Sequence, residues 1–206
     1  MPYGRLLTDH RAGPSLSLDI KLLMYDYYNM KVYLVRHGQT DWNLKGLRQG
    51  QHDIPLNDSG REQARIIQDK LSDIDFDICF ASPLKRAAET AEIICNKKCK
   101  IVFDDRLKER GFGKTEGMPN DSFDMKDDWH FGAVFEDKDY ETIEQLFERA
   151  QSFLADLKKV KAKNVLIVSH GSFAKALHYS IVGYDKNTNF LGWFLLNCEY
   201  DSYDLL

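Results

Sequence analysis

The chain has 206 residues, of which 43% are hydrophobic, 12% aromatic and 29% charged; this is the make-up of one ordinary globular domain and excludes a disordered chain. Its formal net charge of −4 gives no electrostatic footprint for nucleic acid and is weakly repelled by anionic membranes, so an anionic ligand has to be caught by a local basic pocket. No stretch approaches the roughly 18 consecutive apolar residues of a membrane span.

Residues 1–29 read as an N-terminal extension, weakly ordered or peripheral. Pro2, Gly4, Gly13 and Pro14 break its first half, and Leu16, Leu18, Ile20 and Leu22 alternate in its second. Its best apolar stretch, Ile20 to Met24, is short and contains Lys21, so no secretory signal is expected. The domain is expected to span 30–206.

Lys31 to Val35 is a short β-rich apolar run that ends at Arg36-His37-Gly38; buried on both faces, it predicts a central parallel strand. Ser59-Gly60-Arg61-Glu62 predicts a helix start, with Ala64, Ile67 and Leu71 on one face. Asp77 to Phe80 is a second strand. Ser82-Pro83 offers an N-cap and an N1 proline to a helix carrying Leu84, Ala87, Ala88, Ala91 and Ile94. Lys100 to Phe103 is a third strand.

The stretch 104–140 is irregular, acidic and rich in glycine, and a variable insertion is placed at about 114–140. Thr142 to Gln145 is a capping box that opens the clearest amphipathic helix, from Ile143 through Val160. Asn164 to Val168 is a fourth strand, ending at Ser169-His170-Gly171. A helix from Ser172 to about Val182 and a last strand from Leu195 to Leu205 complete the chain. Strands alternating with helices predict an α/β fold, a three-layer α/β/α sandwich around a mostly parallel central sheet. The cysteines Cys79, Cys95, Cys99 and Cys198 are scattered, and reduced thiols in a cytoplasmic protein are expected. Cys95 and Cys99 lack the two further ligands that a zinc site needs, so no metal is expected.

In such sheets ligands bind beyond the carboxyl ends of the strands. There the chain places Arg36, His37, Arg86, Glu109 and His170, drawn from four separate segments. Arginine is always charged and presents a planar fork that matches phosphate oxygens. Histidine is a nucleophile near neutral pH because much of it is unprotonated. A carboxylic acid protonates the leaving alkoxide, help typically worth about 10²–10⁴-fold. The set therefore suits phosphoryl transfer through a phosphohistidine on His37. Glycine after each histidine permits a sharp turn or a close approach of backbone to ligand. Glu116 is a rival acid, but Glu109 is better spaced from the strand end.

The run Val32-Tyr33-Leu34-Val35-Arg36-His37-Gly38-Gln39-Thr40-Asp41-Trp42-Asn43 resembles the signature of the histidine phosphatase superfamily, the phosphoglycerate mutase-like family. The likeness continues at Pro55-Leu56-Asn57, Gly60-Arg61-Glu62-Gln63-Ala64, Ser82-Pro83-Leu84-Lys85-Arg86-Ala87, Leu107-Lys108-Glu109-Arg110-Gly111 and Val168-Ser169-His170-Gly171. The resemblance implies that His37 is phosphorylated, that Arg36, Arg86 and His170 hold the phosphoryl oxygens, and that Glu109 gives a proton and then activates water. It implies substrate contacts at Gly38, Gln39, Thr40, Asn43, Gln49 and Gly50, with no metal or organic cofactor. Gln39 stands where the family often has Glu.

A phosphomonoester hydrolase acting on a small phosphorylated metabolite is favoured over the alternative, a cofactor-dependent phosphoglycerate mutase. The segment from Glu116 to Tyr140 is acidic and makes a poor clamp for a bisphosphate. A non-catalytic phosphate-binding module would not require a nucleophile paired with a proton donor. The expected partner is a small-molecule phosphate ester, with no nucleic acid and no membrane, and a homodimer is left open at Phe190, Trp193 and Phe194. Trp129, Phe131 and Phe135 are either pocket wall or packing for the insertion.

Overall fold

The computed structural model describes residues 30–185 and 187–205, so the expected extension over 1–29 lies outside the described residues. Strand β1 (Met30–Arg36) is followed by the short helix α1 (Asp41–Leu44), α2 (Asp58–Lys70), β2 (Ile78–Ala81), α3 (Lys85–Cys95) and β3 (Lys100–Phe103). Then come the short helix α4 (Met125–Asp128), α5 (Ile143–Leu157), β4 (Asn164–Ser169), α6 (Gly171–Val182) and β5 (Tyr200–Leu205).

The strands form one sheet in the order β3-β2-β4-β1-β5. β1, β4, β2 and β3 run parallel, and β5 lies antiparallel to β1 at the edge. Alternation along the strands divides the core. Val32, Leu34, Val165 and Ile167 face α5 and α6, whereas Tyr33, Val35, Leu166 and Val168 face α2 and α3. Helices on both faces make the three layers.

Helix α5 starts where the capping box predicts it. Thr142 Oγ1 accepts from Gln145 N at 3.3 Å, and the Gln145 side chain accepts from Thr142 N at 2.9 Å. Its buried stripe runs Ile143, Leu146, Phe147, Ala150, Phe153, Leu154 and Leu157.

Three predicted boundaries move. Helix α2 begins at Asp58, because Asn57 is a strong cap whose Oδ1 accepts from Gly60 N at 2.8 Å; Ser59 sits inside the first turn. Helix α3 begins at Lys85 rather than Pro83, after an extended Leu84. The Ser82 hydroxyl accepts from Leu84 N at 3.3 Å and also meets His170. The last strand covers 200–205, not 195–205, because Cys198 takes a left-handed φ of 54° that breaks the extended run.

The insertion is pinned by Arg110, which is fully buried. Its Nε donates to Glu141 O and its Nη1 to Asp128 O, each at 2.8 Å, and the rings of Trp129, Phe135 and Tyr140 surround its guanidinium. Phe131 packs on Phe147 and Phe190, and Phe135 stacks on Tyr140 at 4.1 Å; both serve the packing of the insertion. Phe190 is core, whereas Phe194 is 61% exposed.

The sulfurs of Cys95 and Cys99 lie 2.6 Å apart. Among the described residues no group of three or more His, Cys, Asp or Glu side chains is arranged to hold a metal ion. Among the same residues no helix is long and apolar enough to cross a membrane.

Candidate active site

Parallel register aligns Val35 with Val168 and Val168 with Ala81. The segments that follow β1, β4 and β2 therefore emerge side by side at one sheet edge. Arg36 ends β1 and His37 follows it. His170 follows β4, and Arg86 sits in the first turn of α3 after β2.

His37 is 2% exposed. Its Nδ1 lies 2.7 Å from Gly38 O, and Arg86 Nε donates to its Nε2 at 3.2 Å. A carbonyl oxygen only accepts, so the network assigns the proton to Nδ1 and leaves the Nε2 lone pair to accept from Arg86 Nε. Arg86 Nε also donates to His170 Nδ1 at 3.1 Å, so His170 Nε2 donates to Ser82 Oγ at 2.8 Å. The two imidazole centroids are 5.0 Å apart. Burial first, then the charge of Arg86, holds both histidines well below the usual value of 6.5, so both rings are neutral at pH 7.

Arg86 is anchored by bonds from Nη1 to His52 O and from Nη2 to Gly50 O, each at 2.7 Å. Burial lowers its pKa to about 10 against the pull of Glu109, and it stays protonated at neutral pH. Arg36 Nη1 donates to Leu195 O at 2.8 Å, while its buried Nε has no partner among the described residues. Glu109 is fastened to the first turn of α6. Its Oε1 accepts from Arg110 N at 2.9 Å, Ser172 N at 3.0 Å and Phe173 N at 3.2 Å. Oε2 takes only a shared contact from Ser172 N at 3.2 Å. Glu116 holds the neighbouring loop instead, accepting from Gln51 N at 2.9 Å, Phe112 N at 3.0 Å and His52 Nδ1 at 2.6 Å.

A cavity of about 500 Å³ opens on this edge, with Arg36, His37, Arg86 and Glu109 in its wall, together with Asn43, Gln49 and Gly50. Gly38, Gln39, Thr40 and His170 are not in that wall. Gly38 is pressed against α2, where a Cβ would collide with Gly60 O, so packing alone requires a glycine here. Gln39 turns toward Asn57. Thr40 caps α1 and is fully buried. His170 stands behind Arg86. At Gly171 a Cβ would meet only the Arg36 side chain at an ordinary 3.5 Å.

Sequence reasoning missed Arg48, Asp128 and Lys175, all of which line the cavity. Arg48 Nη2 lies 2.6 Å from Asp128 Oδ2, and its Nη1 donates to Tyr140 Oη at 2.7 Å. Its guanidinium stacks on Phe112 and Phe123. Lys175, only 5% exposed, holds its Nζ 4.3 Å from the centroid of Trp129, which is also in the wall. Burial lowers the Lys175 pKa to about 8, opposed by Glu109. The signal for Lys175 was in the sequence: a lone cation inside Phe173-Ala174-Lys175-Ala176-Leu177, an otherwise apolar helical run.

Residues 32–201 match the family described as the histidine phosphatase superfamily, branch 1. A protein of Bacillus subtilis (strain 168) named as an uncharacterized phosphatase, PhoE, is 41% identical over 82% of this chain and 88% of its own length. A probable phosphoglycerate mutase, GpmB, of Enterobacter sp. (strain 638) is 38% identical over 75% of each chain. The crystal structure of a phosphoserine phosphatase from Entamoeba histolytica, in complex with 3-phosphoglyceric acid, superposes with a TM-score of 0.73 at 27% identity, covering 84% of this chain and 89% of that one.

Proposed function

The chain belongs to the histidine phosphatase superfamily, and from that premise we propose that it hydrolyses small phosphate esters through a covalent phosphohistidine on His37. The carrying observation is the hydrogen bonding of His37: Gly38 O fixes the proton on Nδ1, and the Nε2 lone pair accepts from Arg86 Nε, an N–H that a phosphoryl oxygen can take over and so release Nε2. Nε2 attacks phosphorus as the ester P–O bond breaks. Glu109 Oε2, the oxygen with fewer bonds to the backbone, delivers its proton to the leaving alkoxide. Water then attacks the phosphohistidine, Glu109 takes the water proton, and the P–N bond breaks to give phosphate and free His37.

Arg86 and the unpartnered Arg36 Nε place positive charge where the phosphoryl oxygens gather negative charge. His170 acts behind them by orienting Arg86. Asn43 Oδ1 is held by Thr40 N and Asn197 Nδ2, which turns its amide N–H groups to the cavity. The cations are supplied by side chains, so turnover is proposed to be independent of metal, and water is proposed as acceptor instead of a second phosphoglycerate.

The test is hydrolysis of p-nitrophenyl phosphate in EDTA. Wild type turns over, His37→Ala falls to background, and Glu109→Gln loses about 10²–10⁴-fold on an ester with a poor leaving group. Turnover that survives in His37→Ala overturns the covalent route. A requirement for added 2,3-bisphosphoglycerate would favour the mutase.

A further inference from the structure

We infer that Lys175 reads a carboxylate on the alcohol portion of the substrate, so that the preferred ester is a phosphorylated hydroxy acid; this rests on the phosphatase reading of the same site. Helix α6 turns Gly171, Ser172 and Lys175 to the cavity and Phe173, Ala174, Ala176 and Leu177 to the core, the spacing of one helical face. A cation nearly buried on an apolar helix is unfavourable unless something compensates it. Among the described residues no acceptor lies within hydrogen-bond distance of Lys175 Nζ, and the Trp129 ring supplies a face but no acceptor.

The other wall cations are committed. Arg48 is spent on Asp128 and Tyr140, and Arg86 on two carbonyls and two imidazoles. The wall cations with donors that meet no acceptor among the described residues are Arg36, whose Nε is buried and unpartnered, and Lys175. The first lies with the reacting imidazole and suits the phosphoryl group. The second lies on α6 beside Trp129, within the field of both Glu109 and Arg36, and fits a second anion on the same molecule. One lysine balances one carboxylate. A second phosphate would bring about twice that charge against Glu109.

The experiment compares kcat/KM for 3-phosphoglycerate and glycerol 3-phosphate, which differ by a carboxylate in place of a hydroxymethyl group. It uses the full chain as wild type, Lys175→Met and Lys175→Arg. Wild type favours the acid by about tenfold or more, the size of one hydrogen bond between charged groups. Lys175→Met brings the ratio toward one, and Lys175→Arg restores it. A purely structural role moves both substrates together and leaves the ratio intact. A wild type that turns over p-nitrophenyl phosphate without preferring the acid overturns this inference alone, even if Lys175→Met fails to fold. So does a Lys175→Met variant that keeps the preference. A wild type inactive on all three esters overturns the phosphatase reading, and this inference with it.

Discussion

Two neutral imidazoles sealed behind arginines carry a cost that appears only in acid. His37 and His170 are held well below 6.5 in the folded chain by burial and by Arg86. As pH falls below about 6.5 the unfolded chain takes up protons that the native rings refuse, so folding stability drops; above that pH their contribution is complete and flat. Urea midpoints measured between pH 5 and 8 are expected to fall on the acid side, with a shallower slope in His37→Gln. An unchanged slope would show that the ring is not the source. The residues of this pair were readable because Arg36-His37-Gly38 and His170-Gly171 follow β-rich runs. The tautomer was not, since it depends on where Gly38 O and the Arg86 Nε proton meet the ring. Nor was the reason for Gly38, because its neighbour Gly60 is 22 positions away in sequence and touches it only across the fold.

At the scale of elements, local chemistry decided what was legible. The Thr142 to Gln145 box and the apolar stripe of α5 set that helix in the sequence, and Thr142→Ala is expected to remove about 1 kcal/mol. For a domain of this size that lowers the thermal midpoint by roughly 2–4 °C; calorimetry that finds no shift would mean the cap is idle. Helices α2 and α3 were harder to place, since Asn57 and Ser82 each compete with a neighbour for the first turn. The insertion was the least legible part. Its Arg48, Asp128, Tyr140 and Arg110 contacts join stretches 12 to 92 residues apart, and no periodicity announces such pairs.

For the whole molecule the sequence pattern was most informative, because parallel strands bring their carboxyl ends together whatever the loops do. Among the described residues, Met30 and Val32 of β1 already belong to the core. Because the strongly patterned sequence opens at Met30, residues 30–206 are proposed as the folding unit, and removal of 1–29 is expected to leave the thermal midpoint and p-nitrophenyl phosphate turnover unchanged. A truncated chain that aggregates or melts early would place the boundary elsewhere. The division of labour in this architecture has a further consequence. The groups proposed to break the P–O bond stand at or just beyond the ends of strands locked in the core, whereas Trp129 and Asp128 belong to an insertion clipped down by Arg48 and Arg110. On that proposal, a redrawn insertion would reshape one side of the cavity while the strand-end groups kept their places.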